Sequence, residues 1–324
     1  MGLLLSEPQA AAAGAARAMA HWYTSVAPAV FPFLALMPLL TCSEAAMVYE
    51  RLLGRITGAL FDLPGAAAPA MVVGMVAGTP AGAIAARSIA ARAGMNRGQL
   101  QRTAISTMGF SPAFLISGIG VGMLGSAEWG WRLACAQLMT QLTLAMLLRR
   151  AWRNRTQAVS EAGSFHAEAP VRAAVLAALT ICGYMALFGA LTGVVGTYLG
   201  QGVSNMFLCL LDVPSGARMI SESSVAMEPR AVMLAAMCGF SGVCLIAQSM
   251  SALRDCGLKM TECFALRVLA GAVSAGYMAL LLKLDNSSIP DFISAARVNP
   301  MAAAGLCASL MAIPALIKMK KIIS

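Results

Sequence analysis

Residues 109–114 read GFSPAF and residues 239–244 read GFSGVC. Each sets Gly-Phe-Ser in an apolar stretch and follows it with Pro or Gly, residues that disturb a helix. Extended, the two stretches read GFSPAFLISGIGVGML and GFSGVCLIAQSMSAL, with Leu-Ile at the same offset. A second pair precedes them: Pro80-Ala81-Gly82-Ala83 and Pro214-Ser215-Gly216-Ala217, each 25 to 29 residues ahead of its Gly-Phe-Ser. Two short motifs in the same order in both halves mark an internal repeat.

The 324-residue chain is 59% hydrophobic and only 11% charged, with a mean hydropathy of +0.75. Soluble domains are about a quarter charged, and apolar runs near the ~20 residues needed to cross a bilayer recur here. The chain reads as an all-α, polytopic membrane protein. Its net charge of +9 sits at the ends of apolar segments and reports topology. No basic stripe interleaves with aromatics, so nucleic acid is not an expected partner. The nine cysteines make no C-x-x-C and lie mostly in apolar segments, as small buried hydrophobes do. His21 and His166 are far apart, and no metal site is expected. No cofactor is implied either. A P-loop is missing, and the G-x-G-x-x-G at Gly120–Gly125 neither follows a soluble strand nor has an acid about 20 residues on. The N-terminus has no basic start and no full apolar region, so it makes a poor signal peptide.

The first clear span is 26–48, preceded by His21, Trp22 and Tyr23 as an interfacial belt. The stretch ERLLGRITGALFDLPG, with Leu52, Leu53, Ile56 and Leu60 at helical spacing, suits a short helix lying in the interface. An apolar segment at 66–86 and spans at 104–125 and 131–148 complete an N-terminal half, 1–150. A polar linker, 151–170, leads to a C-terminal half, 171–324. That half has a span at 172–195, an interrupted stretch at 199–227, spans at 230–252 and 263–283, and a final helix at 300–317.

Arg51 and Arg55 precede the 66–86 segment, and Arg87, Arg92, Arg97 and Arg102 follow it. A crossing would leave one basic loop outside; a segment that enters and returns keeps both inside. The break Thr79-Pro80-Ala81-Gly82 supports a re-entrant hairpin, because irregular backbone at membrane depth is tolerated where protein or a wet cavity satisfies it. The same counting puts 151–171, 253–262 and the C-terminus inside, so that 199–227 dips in from outside. The expected architecture is an inverted repeat with two re-entrant hairpins and broken transmembrane helices.

Such repeats bind substrate near the bilayer midplane, where hairpins and broken helices meet. Freed half-helix N-termini face an anion there, and freed carbonyls a cation or polar group. The candidate site comprises Thr79, Pro80 and Gly82; Gly109, Ser111 and Pro112; Pro214, Ser215, Gly216 and Arg218; and Ser241 and Gln248. Thr79, Ser111, Ser215 and Ser241 supply hydroxyls. Gln248 lies two helical turns beyond Ser241, where it lines the same cavity or bonds a neighbouring helix. Arg218, if at midplane, needs a partner or an anionic ligand; nearer the surface it would pair with Asp212 or Glu222. Close helix packing is the competing reading of the small residues.

VAPAVFPFL, FDLPGAAAPAMVVGMVAGTPAGA and SPAFLISGIGVGMLG, together with LLDVPSGARMIS and GFSGVCLIAQSMSALRDCGLK, resemble the nucleoside-recognition or Gate membrane domain. Taken over about residues 8–283 they resemble the YlbJ-type sporulation integral membrane proteins, relatives of concentrative nucleoside transporters. The resemblance implies movement of dipicolinic acid across the outer forespore membrane during endospore formation. Members often carry an additional N-terminal helix, of which only GLLLSEPQ is matched here, an expectation of a misassigned start codon. They often have asparagines before the first Ser-Pro, where this chain has Thr107, Met108 and Gly109. The acid associated with the second hairpin corresponds to Asp212.

Three functions stand open: a transporter or facilitator for a small organic anion, a nucleoside carrier, and a non-transporting scaffold or partner subunit in spore assembly. An enzyme is not expected, because intramembrane acid, histidine and nucleophile constellations are missing. Expected partners are the lipid bilayer, a small-molecule substrate, and a second copy or other sporulation membrane proteins. Arg218 favours an anion over a neutral nucleoside, and paired breaks favour transport over scaffolding.

Overall fold

The computed structural model describes residues 6–28, 31, 34–35, 44–159, 170–198, 207, 209–254 and 256–285. Most of the expected first span, half of the 151–170 linker, positions 199–206 of the expected second hairpin and the expected final helix at 300–317 lie outside the described residues. Within them the protein is helical, without a strand; one isolated bridge joins Asn96 to Ala158.

Helix α1 (Pro8–His21) packs on the long α7 (Pro170–Tyr198). The contact is built from small residues: Gly14 meets Gly189 and Gly193, Gly193 meets Ala10, and Gly189 meets Ala18, so backbones touch directly. Helix α2 (Glu44–Phe61) then turns by 107° into a short turn at Gly65–Ala67 and α3 (Ala68–Ala77). Leu52, Ile56 and Leu60 are exposed along one face of α2, which suits the interface.

Three short helices follow the corner. They are α3, α4 (Ala81–Arg92) and α5 (Arg97–Thr107). At 10, 12 and 11 residues each is roughly 15–18 Å long, about half of a bilayer's hydrocarbon core. The sequence RGQLQRTAIST makes α5 polar, yet nearly all of it is buried. Asn96 and Gln99 close a capping box at its start. Thr103, Ser106 and Thr107 each donate to a carbonyl one turn back, and Gln101 donates to the Cys256 carbonyl at 2.6 Å. The apolar segment expected at 104–125 is therefore two pieces. It ends α5 at Thr107, breaks over 108–111, and resumes as helix at 112, widening into a π-helical turn at Phe114–Val121.

Helix α6 (Ala127–Leu147) follows, and after α7 come α8 (Val213–Ser221), α9 (Met227–Phe240), α10 (Gly242–Ala252) and α11 (Met260–Asp285). Three stretches are long and apolar enough to cross a membrane: Ala174–Tyr198, Met227–Ala252, which contains the break at Ser241, and Met260–Leu284. Leu176, Leu179, Met233, Val268 and Leu280 are exposed along them, as side chains facing lipid are. These features make the chain a membrane protein.

The basic stretches gather at one end. Arg87 donates to the Ala252 and Arg254 carbonyls, and Arg153 and Arg102 both reach Asp62. Arg155 pairs with Glu262 at 2.7 Å and bonds Gln101. At the far end Arg132 pairs with Glu128 and stacks on Trp129, and Arg230 ties down the Ser221, Ser223 and Val225 carbonyls.

Two apolar cores divide the helices in an unexpected way. One joins α3, α4 and α5 with α10, including Phe240. The other joins the π-helical turn and α6 with α8 and α9, including Phe110. Each Gly-Phe-Ser phenylalanine thus lies where elements before one break meet elements after the other.

Candidate functional site

The two breaks come together. Met108 ends α5 in an extended conformation. Ser241 ends α9 in the left-handed region, φ 74°, and Gly242 follows at φ 72°. A non-glycine residue held there costs about 1–2 kcal/mol, and such strain clusters at functional sites.

Arg267 of α11 joins them. Its side chain is wholly buried. Nη1 donates to the Met108 carbonyl at 2.8 Å, Nε to the Phe240 carbonyl at 3.3 Å, and Nη2 to the Gly239 carbonyl and to Ser241 Oγ, the latter at 2.6 Å. No carboxylate among the described residues pairs with it. Its partners are instead the C-terminal ends of two helices. Each such end carries about half an elementary negative charge, so the ends of α5 and α9 together offset one guanidinium. The freed carbonyls are satisfied from within the protein, and the positive ends of α4 and α10 begin beside the same breaks.

In both places the segment around the Pro-X-Gly-Ala motif touches the Gly-Phe-Ser break that follows it in the chain. In the first, Thr79 N–H donates to the Gly109 carbonyl at 2.7 Å, and Gly109 N–H donates to Thr79 Oγ1 at 2.8 Å. Gly78 lies directly on the 109–111 backbone. In the second, Gly242 lies against Leu210, Leu211 and Val213. One packing motif occurs twice. Gly82 is wedged between Gly74 and Thr107, and Gly216 between Cys209 and Met237. Thr107 and Met237 each stand two residues before the glycine of their Gly-Phe-Ser.

The other expected residues fall around this frame. Pro80 is buried at the N-cap of α4, and Pro214 is buried at the start of α8. Ser111 Oγ accepts from Phe114 N–H at 3.2 Å and so starts the π-helical turn; Pro112 is half-buried beside it. Gln248 is buried and donates to Cys244 Sγ at 3.3 Å. Ser215 is exposed and donates through its backbone and hydroxyl to the capping Asp212 carboxylate, at 3.1 and 2.5 Å. Arg218 lies on the exposed face of α8 and does not join the buried group.

Two neighbours of Gly109 were absent from the sequence reading. Gln137 and Gln141, one turn apart on α6, are each 1% exposed. The amide nitrogen and oxygen of both lack a hydrogen-bond partner, and an unsatisfied buried polar group costs about 1–3 kcal/mol. Both Nε2 atoms crowd the position that a Cβ on residue 109 would take. Arg267 was also missed, although a lone arginine inside CFALRVLAGAVSAGYMALLL is a functional flag by its position alone.

No protein-family model matches the chain, and no solved structure does. Over 325 residues it is 24% identical to the "Sporulation integral membrane protein YlbJ" of Bacillus subtilis (strain 168), covering 86% of this chain and 79% of that protein. The chain is thus similar, over most of its length, to an integral membrane protein of sporulation.

Proposed function

We propose that this protein is a membrane transporter or facilitator for a small organic anion, with dipicolinate as its substrate in endospore formation. The observation that carries the reading is the meeting of two helix breaks at one buried arginine that no carboxylate among the described residues neutralises. Arg267 occupies the negative ends of α5 and α9, so the amide-rich ends of α4 and α10 are left to set the local potential, and that favours an anion. The repeated hairpin-to-break contacts and the crossing of the two cores support two Gate-like halves of opposite orientation, with the 66–86 and 199–227 stretches as re-entrant hairpins. Similarity to a sporulation protein supports the spore context and, with it, the outer forespore membrane. A scaffold has no need for a buried charge where two helix breaks meet.

The test is uptake by proteoliposomes of labelled dipicolinate and labelled uridine, with wild type and Arg267→Lys. Saturable dipicolinate uptake that the variant impairs is the expected result. Uptake of uridine alone makes the protein a nucleoside carrier, and uptake of neither by folded protein makes it a scaffold or a subunit.

A further inference from the structure

We infer that Gln137 and Gln141 form a neutral clamp for a carboxylate of the transported anion. The inference rests on the transport reading and names the side chains that touch the substrate. Three observations carry it. The two glutamines sit one helical turn apart on α6, so they share a face. Each is almost wholly buried, and all four of their side-chain polar atoms are without partners, whereas native proteins pair the great majority of such atoms. Both amide nitrogens converge on Gly109, the residue that pairs with the Thr79 tip and follows the carbonyl held by Arg267. Two N–H₂ groups side by side against a residue without a side chain match a carboxylate, which accepts through two oxygens once the Gly109 backbone gives way. Neutral donors suit a carrier: they grip an anion without a salt bridge that would hold it, and a substrate must leave as well as enter. Gly109 has no side chain in the way, and Thr79 covers it through a pair of hydrogen bonds that break when the tip moves. The charge of Arg267 is held one residue away, spent on backbone carbonyls, and acts on the ligand through its field.

The experiment uses full-length protein in proteoliposomes and in detergent, with pyridine-2,6-dicarboxylate, pyridine-2-carboxylate and uridine as probes. Gln141→Leu and Gln137→Leu remove the donors. Gln141→Glu keeps the shape and adds a charge. The expected result is a rise in KM for the dicarboxylate of about tenfold or more in each Leu variant, the size expected for losing a hydrogen bond to a charged group. Ligand-induced thermal stabilisation falls with it, while the ligand-free Tm stays at or above that of wild type, because unpartnered amides have been replaced by apolar groups. Gln141→Glu loses uptake at neutral pH and regains part of it as the medium is acidified while its Tm stays level over the same pH range, a combination that a purely structural role does not produce. Unchanged KM and unchanged ligand stabilisation in folded Leu variants overturn the clamp and leave the transport reading standing. Binding that the variants abolish, without uptake by wild type, keeps the clamp and sinks transport. Neither uptake nor binding of any probe by wild type overturns both.

Discussion

Arg267 is the residue on which the two helix breaks close. A guanidinium inside a membrane helix is disfavoured, by up to roughly 2.5–3.5 kcal/mol at the helix centre on insertion scales, and here four hydrogen bonds to the ends of α5 and α9 offset that cost. Its planar fork reaches carbonyls on two sides at once, which a lysine ammonium does not. Arg267→Leu is expected to destabilise the protein by about 3 kcal/mol or more, because the carbonyls of Met108, Gly239 and Phe240 are left buried and unpartnered. Arg267→Lys should fall between Leu and wild type. Thermal unfolding in detergent reads both, and a Leu variant as stable as wild type would mean that the carbonyls find other partners. Ser241 belongs to the same unit: its left-handed backbone turns α9 into α10 and presents its hydroxyl to Arg267.

At the scale of elements, the short helices around each break are held by glycine contacts of backbone on backbone. A Cβ on residue 82 would lie 2.7 Å from the Gly74 α-carbon and 2.8 Å from Thr107 Cβ, with no flexible side-chain end to yield. At residue 216 one of the two close atoms is the mobile Met237 sulfur, at 2.9 Å. Gly82→Ala should therefore cost about 1–3 kcal/mol, and Gly216→Ala less. Gly276→Ala, on a helix position with open space around it, should be neutral or stabilising by up to about 1 kcal/mol. The same Tm series ranks all three, and a Gly82→Ala protein at least as stable as Gly276→Ala contradicts this packing. The corner between α2 and α3 depends instead on charge. Hydrogen bonds from Arg153, and then from Arg102, hold the Asp62 carboxyl below its ordinary range. A depressed folded-state pKa contributes stability that is present above the ordinary carboxyl value and lost as pH falls through the folded value. Asp62→Asn should thus lower Tm near neutral pH, and the gap to wild type should close as the medium is taken below pH ~4. A gap that persists in acid assigns the loss to shape and not to charge.

For the whole molecule, the distribution of charge makes a topological prediction. Arg87, Arg102, Arg153 and Arg155 meet Asp62, Glu262 and the 252–257 carbonyls at one end, while Glu128 and Arg230 mark the other. With the basic end cytoplasmic, a cysteine introduced at position 97 of a cysteine-free background should resist a membrane-impermeant reagent, and one at position 128 should react. Labelling of position 97 from outside would overturn both the orientation and the hairpin reading of 66–86.

Hydropathy, the basic loops and the Pro, Gly and Ser breaks are local properties of the chain, and they sufficed to show a helical membrane protein with breaks at 79–82, 109–112 and 239–242. The small-residue spacing of Ala10, Gly14 and Ala18 and of Gly189 and Gly193 was legible in the same way, once read as a packing face. Other features depended on the tertiary structure. The polar helix α5 reads as a loop by composition and is a buried strut, because its hydroxyls bond inside their own helix. Arg267 meets a carbonyl 159 positions away, and Gln137 and Gln141 matter because Gly109 of another element lies against them. Composition and periodicity specify which residues can enter a membrane and where a helix must stop. Which buried donor faces which freed acceptor is set by how helices from the two ends of the chain pack, and that is a property of contacts between segments far apart in the sequence.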